Sequence, residues 1–215
     1  MPPLGAVRAV LLPVVVVMTA ACAGTRQPSA PPGSLDARLD ADEAAAGAVP
    51  WAADRPLVWS DFRAQAPAGG PEGALTAYSL LQGVRCTGTA FEFRVTAAFL
   101  PQRSWVKPPV LANPALSART LRHEQTHFDL TEVHARLMRQ YFAELYEPCR
   151  QDEAVLQRAA DRFVADEAAE QSRYDADTHH GLAAPAQTRW DEDVRQRLAE
   201  LRRWVSGEDA KRARS

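Results

Sequence analysis

Between Asn113 and Pro148 the residues His123, His127, Leu130, His134, Leu137 and Tyr141 recur at steps of four, three, four, three and four. That spacing puts all six on one face of a helix with about 3.6 residues per turn, so the chain must build around a long helix whose inward stripe carries histidines. Asn113 followed by Pro114 supplies a capping side chain and a first-turn proline, and Pro148 closes the run. Buried imidazoles are costly unless hydrogen bonds or a metal satisfy them.

The flanking sequence predicts what this helix packs against. Residues 75–86 and 90–106 alternate well enough to be strands, joined by the turn TGTA at 87–90. Phe91, Phe93 and Val95 share one face of the second strand, and Glu92 and Arg94 share the other. A second helix is expected from about Asp152 to Arg173, and a third from about Pro185 to Val205 carrying Trp190, Val194, Leu198 and Leu201. The fold class is therefore α+β: a small antiparallel sheet packed on a bundle of about three helices. The 25 basic and 27 acidic residues leave a net charge of −2 with no single-sign block, which gives nucleic acid no electrostatic footprint.

The amino terminus reads as an export signal. Residues 1–21 contain a short apolar run with one preceding arginine, too short to span a bilayer comfortably. The run ends in TAAC at Cys22, which resembles the lipobox of bacterial lipoproteins; lipidated Cys22 would then hold the chain on a membrane surface of the cell envelope. Ordinary cleavage after ACA is the alternative. Residues 22–49 form a flexible linker with a short frayed helix, residues 50–207 the folded domain, and residues 208–215 a disordered tail. Export permits Cys86 and Cys149 to be oxidised, and a bridge or two separate thiols are both compatible with the spacing.

The segment HEQTH at 123–127 carries the chemistry. Helical positions four apart have Cβ atoms about 6 Å apart, so His123 and His127 can each turn a ring nitrogen to one zinc ion at about 2 Å. Glu124 sits about 100° around the turn, where it can take a proton from activated water without ligating the metal. All five histidines lie between His123 and His180, a clustering that favours zinc over hydrogen-bonded core histidines. His134 lies eleven residues from His123, roughly 16 Å along the axis, and cannot reach the same ion. The third ligand is left among His180 and Asp175, both placed in the loop before the last helix, and Glu167 or Glu170 of the second helix.

RHEQTHFD at 122–129, then YDADTHHG at 174–181, then Gln187 and Trp190, resembles a bacterial family of predicted secreted zinc-dependent proteases catalogued as a domain of unknown function. Its pattern is HEQxHFD, YDxxTxHG and QxxW, and WSDF at 59–62 also matches. The likeness covers about residues 50–205. It implies a zincin-like fold and a metallopeptidase with His123, His127 and His180 on zinc and Glu124 as general base. Tyr174 is then the donor to the developing oxyanion, and Asp175 orients a ligand histidine through its other nitrogen. The expected substrate is a peptide or protein. A non-catalytic envelope lipoprotein with a structural zinc site, and a zinc amidase acting on cell-wall peptide bridges, are the competing readings.

Overall fold

The structure, a computed structural model, describes residues 10–11 and 35–205. The rest of the expected export signal, Cys22 with its lipidation, and the tail 208–215 lie outside the described residues. In chain order the elements are β1 (Val10–Leu11), α1 (Leu35–Ala46), β2 (Val49–Pro50), β3 (Ala74–Leu75), β4 (Ala77–Thr87), β5 (Ala90–Phe99), β6 (Trp105–Val106), α2 (Pro108–Leu111), α3 (Pro114–Glu144), α4 (Glu153–Thr178) and α5 (Ala184–Glu200).

β4 and β5 form an antiparallel hairpin in register from Tyr78 opposite Phe99 to Thr87 opposite Ala90. Its turn is the two residues Gly88–Thr89, and Gly88 takes φ +62°, the positive value that the first position of such a tight hairpin demands. The sheet order is β1-β4-β5-β2, and β3 pairs separately with β6. Alternation along β5 sends Phe91, Phe93, Val95, Ala97 and Phe99 to one face, where they meet Phe128, Met138 and Phe142 of α3. Each large apolar side chain removed from water here contributes roughly 1.5–3 kcal/mol before the entropic cost of ordering it. On the other face, Arg94 pairs with Asp40 and Glu43 of α1. Gly83 leaves room there for Leu35 and Leu39, so the helix of the expected linker lies against the sheet.

α3 is the centre of the molecule. It is 31 residues long, about 46 Å at 1.5 Å per residue. Asn113 caps it by accepting from the Leu116 amide, with Pro114 in the first turn. One side of α3 faces the sheet; another meets α4 and α5 through Leu130, Val133, Tyr174 and Val194. Toward its carboxyl end Glu132, Arg136 and Arg139 are buried together. Arg136 donates to Glu132 and to the Leu198 carbonyl, and Arg139 donates to Glu132 and to the carbonyls of Val95 and Trp204, tying sheet, α3 and the end of α5. Cys86 at the end of β4 is disulfide-bonded to Cys149 beyond α3, 63 residues away.

One boundary differs from expectation in a way that matters. α4 runs to Thr178, so Asp175 sits in its last turn and not in a loop. Asp175, Asp177 and Thr178 favour turns locally, but Tyr174 and Asp175 are buried against α3, and those tertiary contacts override the local preference. α5 ends at Glu200, with a 3-10 turn over Arg202–Trp204 in place of the expected continuation to Val205.

Candidate metal centre

His123 and His127 are both fully buried. Their Nε2 atoms lie 3.1 Å apart, and Asp175 Oδ1 lies 3.1 Å from each. Two glutamines fix which ring nitrogen carries hydrogen. The amide nitrogen of Gln171 donates to the His127 carbonyl at 2.9 Å, so its oxygen is the atom 2.7 Å from His127 Nδ1. The amide nitrogen of Gln187 likewise donates to Asp191 at 2.7 Å, leaving its oxygen 3.0 Å from His123 Nδ1. Both Nδ1 atoms therefore donate, and both Nε2 atoms turn lone pairs toward the Asp175 oxygen.

Three acceptor atoms that close repel one another unless a cation sits among them. A proton can relieve one edge of the triangle, whereas a metal ion relieves all three. Tetrahedral coordination at about 2.0–2.1 Å separates ligand atoms by about 3.3 Å, close to the edges observed, and two imidazoles with a carboxylate are an ordinary zinc donor set. The residues fit a metal ion. Among the described residues, His123, His127 and Asp175 are the one group whose ligand atoms converge in this way.

The electrostatics without metal follow from the same contacts. Burial opposes the charge on Asp175, but without metal a histidine Nε2 that takes up a proton becomes a donor to it, and that bonding by His123 and His127 outweighs burial and holds the carboxyl well below the usual carboxylate range. Burial lowers His123 to about 4. His127 is pushed down by burial yet ends above its ordinary value, because Asp175 and Glu124 favour its charged form. Glu124 is fully buried, and neither carboxylate oxygen has a hydrogen-bond partner among the described residues. Burial raises its pKa to about 7, against the opposing pull of His127 and Thr76.

The site's remaining neighbours come from three elements. Thr76 and Tyr78 share a face of the β3–β4 segment by strand alternation. The Thr76 hydroxyl lies 3.5 Å from the Glu124 carbonyl, and the Tyr78 ring stacks on His127 at 6.4 Å and 17°. Burial first, then the charges of Glu167, Asp175 and Glu124, push the Tyr78 phenol far above its usual range, so it keeps its proton. Tyr174 stacks on His123 at 4.7 Å, and its hydroxyl is engaged with the His123 carbonyl and the Gln187 amide. At the end of α4, His179, His180 and Gly181 take φ of 49°, 54° and 78° in succession. That run folds the chain back over His123. A Cβ on Gly181 would stand 3.0 Å from His123 Cβ and Cγ, so glycine is required by both conformation and space.

The expected residues are thus distributed as follows. His123, His127 and Asp175 converge, with Glu124 beside them. Asp175 faces the Nε2 side of both histidines; the orienting role assigned to it through the other nitrogen belongs to Gln171 and Gln187. His180 is 37% exposed, and its Nδ1 lies 3.3 Å from Asp175 Oδ1 without hydrogen-bond geometry, outside the converging group. Glu167 is buried and accepts from Thr131 and Gln171. Glu170 pairs with His134 at 2.6 Å and with Arg197 at 2.8 Å. The rest of the first motif faces elsewhere on α3. Gln125 accepts from the Leu57 amide, and Asp129 accepts from Trp51, fastening the segment before β3. A cavity of about 380 Å³ lined by Trp51, Gln125, Asp129 and Arg136 lies on that side, about 200° around α3 from the histidines.

Gln171, Thr76 and Tyr78 were not singled out from the sequence. For Gln171 a signal existed: Glu167, Gln171, Tyr174 and Thr178 follow at four, three and four, a polar inward stripe matching that of α3. No helix of the described residues is long and apolar enough to cross a membrane. Comparison with curated proteins and with solved structures gives no match. Residues 59–181, more than half of the chain and inclusive of every residue that forms the triangle, match the family described as bacterial protein of unknown function DUF922, and the chain belongs to that family.

Proposed function

We propose that this chain is a zincin-like, zinc-dependent metallopeptidase of the bacterial cell envelope, holding its metal through His123, His127 and Asp175. The observation that carries this reading is the 3.1 Å triangle of acceptors beside a buried carboxylate, Glu124, that has no other partner. Zinc held there would supply Lewis acidity and bring a water pKa to about 7. Glu124, a buried carboxyl that desolvation raises before any metal enters, is placed to take a proton from the attacking water and to deliver it to the departing amine. Gln171 and Gln187 keep the two imidazoles in the ligating tautomer, and Tyr174 braces His123.

Two imidazoles and one carboxylate also suit non-haem iron. The unpartnered base in the HExxH position favours hydrolysis over oxygen chemistry. The Cys86–Cys149 bridge supports an oxidising compartment, in keeping with export and attachment through Cys22. His180 at 3.3 Å from Asp175 favours one competing reading, a closed structural site with four ligands in a binding lipoprotein.

The test is metal content, by atomic emission, of the wild-type protein and of the His123→Ala, Asp175→Ala and His180→Ala variants, with hydrolysis of a casein digest measured alongside Glu124→Gln. One zinc per chain, lost in the first two variants and kept in His180→Ala, with activity abolished in Glu124→Gln, supports the peptidase. Loss of zinc in His180→Ala together with no activity in the wild type favours the closed structural site, and iron in place of zinc overturns the proposal.

A further inference from the structure

We infer that Tyr78 is a catalytic residue of this site, its hydroxyl donating a hydrogen bond to the carbonyl oxygen of the scissile peptide as negative charge develops there. The inference rests on the peptidase reading. Tyr174, the donor expected from the sequence, is committed: its hydroxyl contacts the His123 carbonyl at 3.2 Å and the Gln187 oxygen at 2.9 Å, and it accepts from the Gln187 nitrogen at 2.6 Å. Tyr78 is the other tyrosine whose ring packs on a histidine of the triangle, 6.4 Å from His127 and nearly parallel to it. Its ring is buried, and its hydroxyl makes no hydrogen bond among the described residues, yet that oxygen is not one of the buried atoms left without a partner: it keeps an opening to solvent.

A phenol whose ring is packed while its hydroxyl is uncommitted and open is free to donate to an incoming ligand. The stacked ring on His127 places the phenol beside the triangle. The groups whose charge it feels are Glu167, Asp175 and Glu124, so the hydroxyl is within electrostatic reach of both the triangle and the base. Strand alternation makes the placement rigid. Thr76 and Tyr78 point to the α3 side while Leu75 and Ala77 pack with Leu100 on the other, and the β4 backbone is locked to β5 at Phe99. A donor on a sheet strand, opposite the ligating helix, is fixed before reaction and needs no reorganisation when charge appears, which is the condition for strong oxyanion stabilisation. The phenol gives up no proton in this role; protons pass only through Glu124.

Tyr78→Phe removes one oxygen and keeps the ring on His127. The protein is loaded with cobalt(II), whose visible spectrum reports on the site, and titrated with methylphosphonate as a tetrahedral oxyanion. The expected result is unchanged cobalt stoichiometry with phosphonate bound roughly ten-fold or more weakly, the size of a lost hydrogen bond to a charged group. Equal phosphonate binding by wild type and Tyr78→Phe overturns the role of Tyr78 and leaves the peptidase reading standing. No metal, or no phosphonate binding, in the wild type overturns both. A measurement on the wild-type chain covers the case in which the variant fails to fold. With 3-fluorotyrosine at the four tyrosines, the 19F resonance of Tyr78 should shift on phosphonate addition while those of Tyr141 and Tyr146 stay fixed, and a stationary Tyr78 resonance refutes the contact.

Discussion

Glutamine at position 124 is expected to make the metal-free protein more stable, and only above a defined pH. In the unfolded chain a glutamate titrates near 4.5, whereas burial in the fold raises Glu124 to about 7. A carboxyl whose folded pKa is raised stabilises the fold fully below 4.5, and that contribution is lost as pH rises through about 7. A change of this size corresponds to about 3 kcal/mol. Neither oxygen of Glu124 has a partner in good hydrogen-bond geometry, and its polar neighbour Thr76 can serve a glutamine oxygen as well, so the substitution removes the buried charge and forfeits little. Glu124→Gln should therefore melt together with wild type at pH 4 and about 6 to 12 °C higher at pH 8, given roughly 2–4 °C per kcal/mol for a chain of this length. The assay is a thermal melt in excess chelator at both values. A gap that is absent at pH 8, or equal at the two pH values, would refute the argument that Glu124 is a desolvated and uncompensated acid.

Other consequences follow from named contacts. Gln171→Ala and Gln187→Ala each remove the acceptor that fixes one histidine tautomer, and each should weaken zinc affinity about 10- to 100-fold in chelator competition without changing stoichiometry. Gly181→Ala must place a Cβ 3.0 Å from the His123 ring at φ +78°; a loss of roughly 1–3 kcal/mol in urea titration is expected, together with weaker metal binding. Replacing Cys86 and Cys149 by serine opens a loop of 63 residues, and the chain-entropy estimate is a loss of about 4 kcal/mol, read as a lower urea midpoint.

What could be read without a structure was whatever depends on periodicity and short range. The 4-3-4-3-4 spacing determined α3 and the common face of His123 and His127, because side chains four apart on a helix must stack. Alternation determined the β4–β5 hairpin, and Gly88 its tight turn. The pairing of Cys86 with Cys149, and the choice among His180, Asp175, Glu167 and Glu170, could not be read, because each depends on where α4 docks on α3. That docking extended α4 over residues with turn-forming preferences and brought Asp175 to the histidines. It also placed Gln171 and Gln187, 44 and 64 residues from their partners, on the two Nδ1 atoms. Tyr78 shows the same division most plainly: a strand residue's face follows from its parity, but which helix that face meets is decided only when the sheet packs, since burial is a property of the assembled layers and not of the local chain.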